Sequence, residues 1–204
     1  LSAGPGSRLV VTTQAAERVY RAREGVARIE ARLEVGAGAH LEWLPQETIL
    51  YEGGRLARRL EADLSGDAEL TAIETVMLGR AAMGETVATG ALSDQWRIRR
   101  DGALVHAEAL RMAGDLATTL AGPGTLSGSR AFATLAHVAP DAPDRLVRAR
   151  ALIAGLSGIA AAASAKDGVL LVRFIAPDLA PLRAALIAFL MEFRRSALPR
   201  VWSL

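Results

Sequence analysis

The sequence of 204 residues contains no cysteine, which excludes disulfide bonds, thiolate metal ligands and a cysteine nucleophile. Aromatic residues are only 4% of the chain although 51% is hydrophobic, so we expect an aliphatic core with isolated rings as anchors. No apolar run approaches the roughly 18 residues of a membrane span, and the opening LSAGPGSRLVV does not resemble a signal peptide. These absences predict a folded protein of the cytoplasm that contacts no membrane.

Lysine is nearly absent as well, because Lys166 is the only lysine among 24 basic residues. The 22 acidic residues leave a net charge of +2. Nucleic-acid recognition favours basic residues clustered on one face with interleaved aromatic rings, whereas these arginines are scattered among acids. We therefore expect no nucleic-acid partner.

The first two thirds of the chain have the period of β-strands. The segment VARIEARLEV (26–35) alternates apolar and charged residues without a fault, as a half-buried strand does. Further short strands follow at similar spacing, joined by Gly-containing turns, and Asp101-Gly102 marks a tight hairpin. Because no long helices intervene, the pattern favours a mainly β fold of stacked or coiled antiparallel strands, β-helix-like, and not βαβ units.

The last third of the chain has helical spacing. The segment PDRLVRARALIAGL predicts one helix with Asp144 as its N-cap, and a second helix is predicted from Asp178 through Arg195. Between them, Asp167-Gly168 predicts another hairpin. We expect the closing LPRVWSL to be extended.

No linker rich in Pro, Gly and Ser divides the chain. We therefore predict one domain over 1–204, with a β-rich part at 1–140 and a helix–hairpin–helix part at 141–204.

No motif for covalent or nucleotide chemistry stands out. The segment TLSGSRA (125–131) lacks the Gly-x-Ser-x-Gly context of a hydrolase, and AGPGTLSGS (121–129) lacks the lysine of a phosphate-binding loop. His40, His106 and His137 are too far apart in the sequence to form a local metal motif. No catalytic residue and no stable metal site are predicted.

Three glutamates share strand faces with apolar residues: Glu47, Glu74 and Glu108. A buried carboxylate is costly unless it is paired or hydrogen-bonded. Two interpretations stay open. Each acid pairs with an arginine or is solvated, or the acids line a polar channel or metal path.

Five segments together resemble the urease accessory protein family UreD, which is called UreH in some organisms. They occur in the family's order and extend over nearly the whole chain: TTQAAERVYRA (12–22), LEWLPQETILYEGGR (41–55), LGRAAMGE (78–85), WRIRRDG (96–102) and LPRVW (198–202).

The resemblance implies a maturation factor that is not an enzyme, with stacked strands followed by two C-terminal helices. Proteins of this family bind apo-urease and UreF, which recruits the GTPase UreG, and they help Ni(II) reach the urease active site. Ni(II) would be a transient cargo, with no tightly bound cofactor. By motif position, Glu74 and Glu108 lie nearest such a passage, and Glu47, Glu85 and Asp94 are further candidates.

The resemblance also suggests a surface for UreF at the C-terminal helix and tail, with Phe193, Arg200 and Trp202 as candidates. Members of the family usually carry further strands before the segment SRLVVTTQAAERVY, so we expect this chain to lack them. Two other functions stay open from the residues alone: a β-rich hydrolase using the embedded carboxylates, and an adaptor unrelated to nickel.

Overall fold

The computed structural model describes residues 1–80, 84–194 and 196–203 of the chain. Its strands are β1 (Ser2–Ala3), β2 (Arg8–Val11), β3 (Glu17–Val19), β4 (Ala27–Val35), β5 (His40–Trp43), β6 (Thr48–Leu50), β7 (Arg55–Leu64), β8 (Glu69–Leu78), β9 (Thr89–Arg100), β10 (Ala103–Asp115), β11 (Ala131–Val138), β12 (Ala160–Lys166) and β13 (Val169–Ala176). Its helices are α1 (Leu116–Ala121), α2 (Leu146–Ala154) and α3 (Leu179–Arg194), with 3₁₀ turns at Ala142–Arg145 and Arg200–Ser203. The centre of LGRAAMGE (81–83) and the predicted helix end at Arg195 lie outside the described residues.

The strands form two sheets that face each other. The five-stranded sheet has the order β1-β4-β7-β9-β10, and the eight-stranded sheet has the order β12-β13-β11-β8-β5-β2, with β6 paired to β8 and β3 paired to β6. From β4 to β9 the chain passes repeatedly from one sheet to the other. The prediction of a mainly β, coiled fold with two C-terminal helices is confirmed.

The pairing within the sheets is mixed, which corrects the predicted antiparallel arrangement. Strands β4, β7 and β9 pair in parallel, as do β5 and β8. A chain that alternates between two sheets returns to each sheet in the same direction, so its neighbouring strands are parallel. The two predicted Asp-Gly hairpins, β9–β10 and β12–β13, are antiparallel, and Asp101 and Asp167 both have φ near +50°.

Strand β8 is the centre of the core because both of its faces are buried. Leu70 and Val76 face the five-stranded sheet, whereas Ile73 and Met77 face the helices. Apolar residues on both faces are typical of a strand between two layers. The helix layer is held by the predicted stripe of α3, whose buried members are Leu182, Leu186, Phe189, Leu190 and Phe193.

The helices differ from the sequence-based expectation in two places. Helix α2 begins at Leu146 after the 3₁₀ turn, so Asp144 lies within that turn and does not cap the helix. Helix α1 has only six residues, which is too short for a periodic signal, and the Asp115 carboxylate caps it by accepting from the Thr118 N–H at 3.0 Å. Within the described ranges, none of the helices has the length and apolar character needed to cross a membrane.

The C-terminal tail folds back onto the core and is not extended. Trp202 lies in the last 3₁₀ turn and is 3% exposed. Its indole N–H donates to the carbonyl oxygen of Leu44 at 3.2 Å, and the Arg183 guanidinium lies over its ring. The tail therefore seals the layer between the helices and the eight-stranded sheet.

We predict that Trp202→Ala lowers the free energy of unfolding by about 3 to 5 kcal/mol, because it removes a fully packed ring and a buried hydrogen bond. Val147→Ala is the control, since Val147 is 80% exposed and its loss should cost less than about 0.5 kcal/mol. Urea unfolding measures both variants. Equal stabilities of the two variants would contradict the buried position of Trp202.

Candidate functional site

Three charged residues lie between the two sheets, one from each of three successive strands. Arg58 of β7 is in phase with Leu56 and Leu60, and Asp94 of β9 lies directly opposite it in the register of the five-stranded sheet. Glu74 of β8 projects from the eight-stranded sheet toward them. We call Arg58, Glu74 and Asp94 the charged triad.

The triad is tightly hydrogen-bonded and buried, with each residue no more than 6% exposed. Arg58 Nη1 donates to Glu74 Oε2 at 2.6 Å, and Nη2 donates to Asp94 Oδ2 at 2.5 Å. The remaining carboxylate oxygens accept from two indole N–H groups, that of Trp43 to Glu74 at 2.9 Å and that of Trp96 to Asp94 at 3.2 Å. Two carboxyl groups and one guanidinium are thus held together with their hydrogen bonds largely satisfied.

Burial and charge act in opposite directions on these groups. Burial raises the pKa of Glu74, while the Arg58 guanidinium and the Trp43 indole lower it. Burial alone would lower the pKa of Arg58, but the Glu74 and Asp94 carboxylates raise it above its ordinary value. Arg58 therefore stays charged in the interior, where an arginine without acidic partners would not be stable.

A cavity of about 350 Å³ adjoins the triad between the sheets. Its wall is mostly apolar and includes Leu120 of α1. Glu108 of β10 also lines it and pairs with Arg173 of β13, so this ion pair joins the two sheets at the cavity. An apolar cavity with a few convergent charged groups is the usual form of a binding site or passage.

The structure brings three of the five predicted acids to this cavity: Glu74, Asp94 and Glu108. Glu47 lies in the loop before β6 and accepts from Arg183 of α3 at 3.1 Å. Glu85 lies in the segment before β9, where the hydrogen bond from Arg80 at 2.9 Å lowers its pKa. Neither Glu47 nor Glu85 lines the cavity.

An arginine pairs with each of the five acids. Pairing with an arginine is one of the two interpretations of the glutamates on apolar strand faces. Sequence reasoning did not single out Arg58, although a signal was present. In RLARRLEADL the arginine at position 58 is in phase with four apolar residues that face the other sheet, whereas its neighbour Arg59 points to solvent.

The three candidates for partner contact have different positions. Phe193 and Trp202 are buried in the helix layer, and Arg200 is exposed. The two aromatic rings therefore lie beneath the surface of the helix layer. Of these three residues, Arg200 is the one that a partner can contact.

The histidines occupy two places. His40 and His137 belong to the eight-stranded sheet, whereas His106 lies on β10 beside Trp96. His137 shares a 2.9 Å hydrogen bond between its Nδ1 and the hydroxyl of Thr71, and burial lowers its pKa to about 3. Among the residues described, no group of three or more His, Asp or Glu side chains is arranged to hold a metal ion.

Comparison with known proteins identifies the family of this chain. Residues 1–203 match the family model described as UreD urease accessory protein. The chain belongs to the UreD family. A urease accessory protein UreD of Xanthobacter autotrophicus is 52% identical over 201 residues, which cover 98% of this chain and 69% of that protein. The UreD of Methylobacterium sp. is 50% identical, with 98% and 72% covered, and that of Azorhizobium caulinodans is 47% identical, with 100% and 75% covered.

Membership of the UreD family makes this chain a urease accessory protein, consistent with a role in urease maturation. The relatives are named as accessory proteins and not as enzymes. The resemblance drawn from the five sequence segments is confirmed.

We predict that Arg58→Met lowers the free energy of unfolding by about 3 to 5 kcal/mol at neutral pH, because two buried carboxylates lose their counter-ion. Arg59→Met is the matched control, because the Arg59 side chain is 54% exposed and pairs with Glu61 at the surface. Urea unfolding of both variants checks the prediction. A loss below about 1 kcal/mol for Arg58→Met would contradict a buried, paired triad.

We predict that His137 makes the protein sensitive to acid. The pKa of His137 is about 3 in the folded chain and 6.5 in the unfolded chain. The contribution of the neutral imidazole to the free energy of unfolding is therefore complete above pH 6.5 and is lost as the pH falls toward 3. Between pH 7 and pH 5 the loss is about 2 kcal/mol. His137→Asn should remove that part of the pH dependence while leaving the slope between pH 7.5 and pH 9 unchanged. Urea unfolding at each pH measures it, and identical pH profiles for both proteins would contradict the assignment.

Proposed function

We propose that this chain acts in urease maturation by giving Ni(II) a passage through the cavity beside the charged triad. The observation that supports the proposal is the convergence of Glu74, Asp94 and Glu108 on one cavity between the sheets. These acids come from three different strands of two sheets, and all three are among the five candidates that the sequence indicates.

The chemistry of the cavity suits a cation that is passed on. Carboxylate oxygens bind divalent cations, and thiolates, which would hold Ni(II) more firmly, are absent from the sequence. A conduit must release its cargo, so scattered acids that are already paired with arginines are better suited than a preformed cage. Ni(II) is in this proposal the cargo, and no tightly bound cofactor is required.

We further propose that the chain works in a complex with apo-urease and UreF, and with UreG through UreF, as the family resemblance implies. The outer surface of α3 and the last 3₁₀ turn is the proposed contact for UreF. Arg200 and Met191 are exposed there, above the buried Phe193 and Trp202. Exposed apolar and arginine side chains over a rigid base are common at protein interfaces.

The passage is tested by Glu74→Gln and Glu108→Gln in cells that produce urease and its accessory proteins. We expect each substitution to lower the nickel content of purified urease by about tenfold, because it removes a charge from the cavity. Glu47→Gln is the matched control, since Glu47 also pairs with an arginine but lies outside the cavity.

Co-purification with UreF and the amount of each variant in the cell separate loss of passage from loss of folding. Fully nickel-loaded urease in cells that carry both cavity substitutions would refute the proposed passage.

A further inference from the structure

Arg58 occupies the place between two carboxylates that a divalent cation would take. Its two Nη atoms lie 2.6 Å from Glu74 and 2.5 Å from Asp94, and Nη1 also donates to the Thr48 hydroxyl at 3.1 Å. The residue is 5% exposed, and its buried Nε has no hydrogen-bond partner among the residues that the structure describes. The guanidinium is therefore held through its two Nη atoms and not through Nε.

The positive charge of Arg58 excludes other cations from this point. Two like charges a few ångströms apart repel strongly in a medium of low dielectric constant, so Arg58 and Ni(II) cannot both occupy the space between Glu74 and Asp94. Without Arg58, the same two carboxyl groups have no internal counter-ion, and a divalent cation can take that place by displacing any proton they hold.

The surroundings give Arg58 room to move. The cavity of about 350 Å³ that Arg58 lines is large enough for its guanidinium and several waters. The two indole N–H groups of Trp43 and Trp96 hold the carboxylates from the other side, so Glu74 and Asp94 keep their positions when the guanidinium leaves.

We propose that Arg58 is an internal counter-ion that closes the cavity to divalent cations, and that a cation reaches the Glu74–Asp94 pair only when the Arg58 side chain swings away. The inference deepens the proposed passage and rests on it for its biological meaning. The exclusion of cations by Arg58 is a property of the chain alone and is tested without any partner.

The apparent affinity for a cation depends on the fraction of molecules in which Arg58 has moved out. A substitution that weakens the hold on Arg58 should raise that fraction, and one that removes Arg58 should make the site fully available. Thr48→Val removes one hydrogen bond to Arg58 with little change of shape, and Arg58→Met removes the charge.

Equilibrium dialysis of the full, untagged chain against NiCl₂ at pH 7.5 tests whether the affinity for Ni(II) increases from the wild type to Thr48→Val to Arg58→Met. We expect Arg58→Met to bind one Ni(II) at least about a hundredfold more tightly than the wild type, and Thr48→Val to bind about fivefold more tightly. The triple variant Arg58→Met, Glu74→Gln, Asp94→Asn should not show the tighter Ni(II) binding of Arg58→Met, because it lacks the two carboxylates as well as the guanidinium. If Arg58→Met is unfolded without metal, recovery of its folded circular-dichroism spectrum on addition of NiCl₂, absent in the triple variant, is the supporting result.

Equal Ni(II) binding by the wild type, Thr48→Val and Arg58→Met would overturn the inference, as would a gain that persists in the triple variant. The result is separable from the cellular test. If Arg58→Met gains the site while urease in cells with Glu74→Gln and Glu108→Gln stays fully loaded, the counter-ion role stands and the passage fails. If the cellular substitutions abolish loading and Arg58→Met gains no site, the passage stands and the closing role of Arg58 fails.

Discussion

The ion pairs of Arg58 with Glu74 and Asp94 are the interaction on which the arrangement of the two sheets depends. Arg58 and Asp94 come from one sheet and Glu74 from the other, so the triad crosses the space between the layers. A slip of β7 by one residue would turn Arg58 and the apolar residues in phase with it to solvent, and would bring charged residues such as Glu61 and Asp63 between the sheets. The apolar face of β7 and the triad therefore specify the register of this strand together.

Pairing of acids with arginines is a general feature of this chain. Glu42 and Arg194 form another buried pair on the helix side of the eight-stranded sheet, and Glu47 and Arg183 hold α3 above the loop before β6. These pairs connect the layers of a chain that has few aromatic residues. They also mean that any cation moving through the interior competes with guanidinium groups for the same oxygens. The proposed passage and the ion pairs between the layers thus use the same carboxylates.

Much of the local structure could be predicted because it depends on neighbouring residues. The alternation of VARIEARLEV, the two Asp-Gly turns and the apolar stripe of α3 are each visible within a short window. Parallel pairing could not be predicted in this way, since it depends on how the chain returns to a sheet after an excursion through the other. The burial of Trp202 is likewise decided by a contact with Leu44, which no local pattern reveals.

Only part of the candidate site could be predicted from the sequence, because local patterns do not show which distant residues meet in the fold. Glu74 and Glu108 could be selected because each acid interrupts an apolar face, and the same rule applied to β7 would have found Arg58. What the sequence could not show is that β7, β8 and β9 bring Arg58, Glu74 and Asp94 to one point. The separate positions of Glu47 and Glu85 show the limit of selection by motif, because both belong to family-like segments but lie at other surfaces of the fold.

The position of the triad within the chain has a consequence for folding. Arg58 is 16 residues from Glu74 and 36 from Asp94, whereas the contact of Trp202 with Leu44 joins residues 158 apart. Closing short loops costs less entropy than closing long ones, so we expect the contacts of the charged centre to form before the contact of the C-terminal turn. During synthesis the helix-facing side of the eight-stranded sheet, with Ile73 and Leu135, is made long before α3 leaves the ribosome to cover it. We expect the chain to be most prone to aggregation in the interval between these two events, because this apolar face is then uncovered.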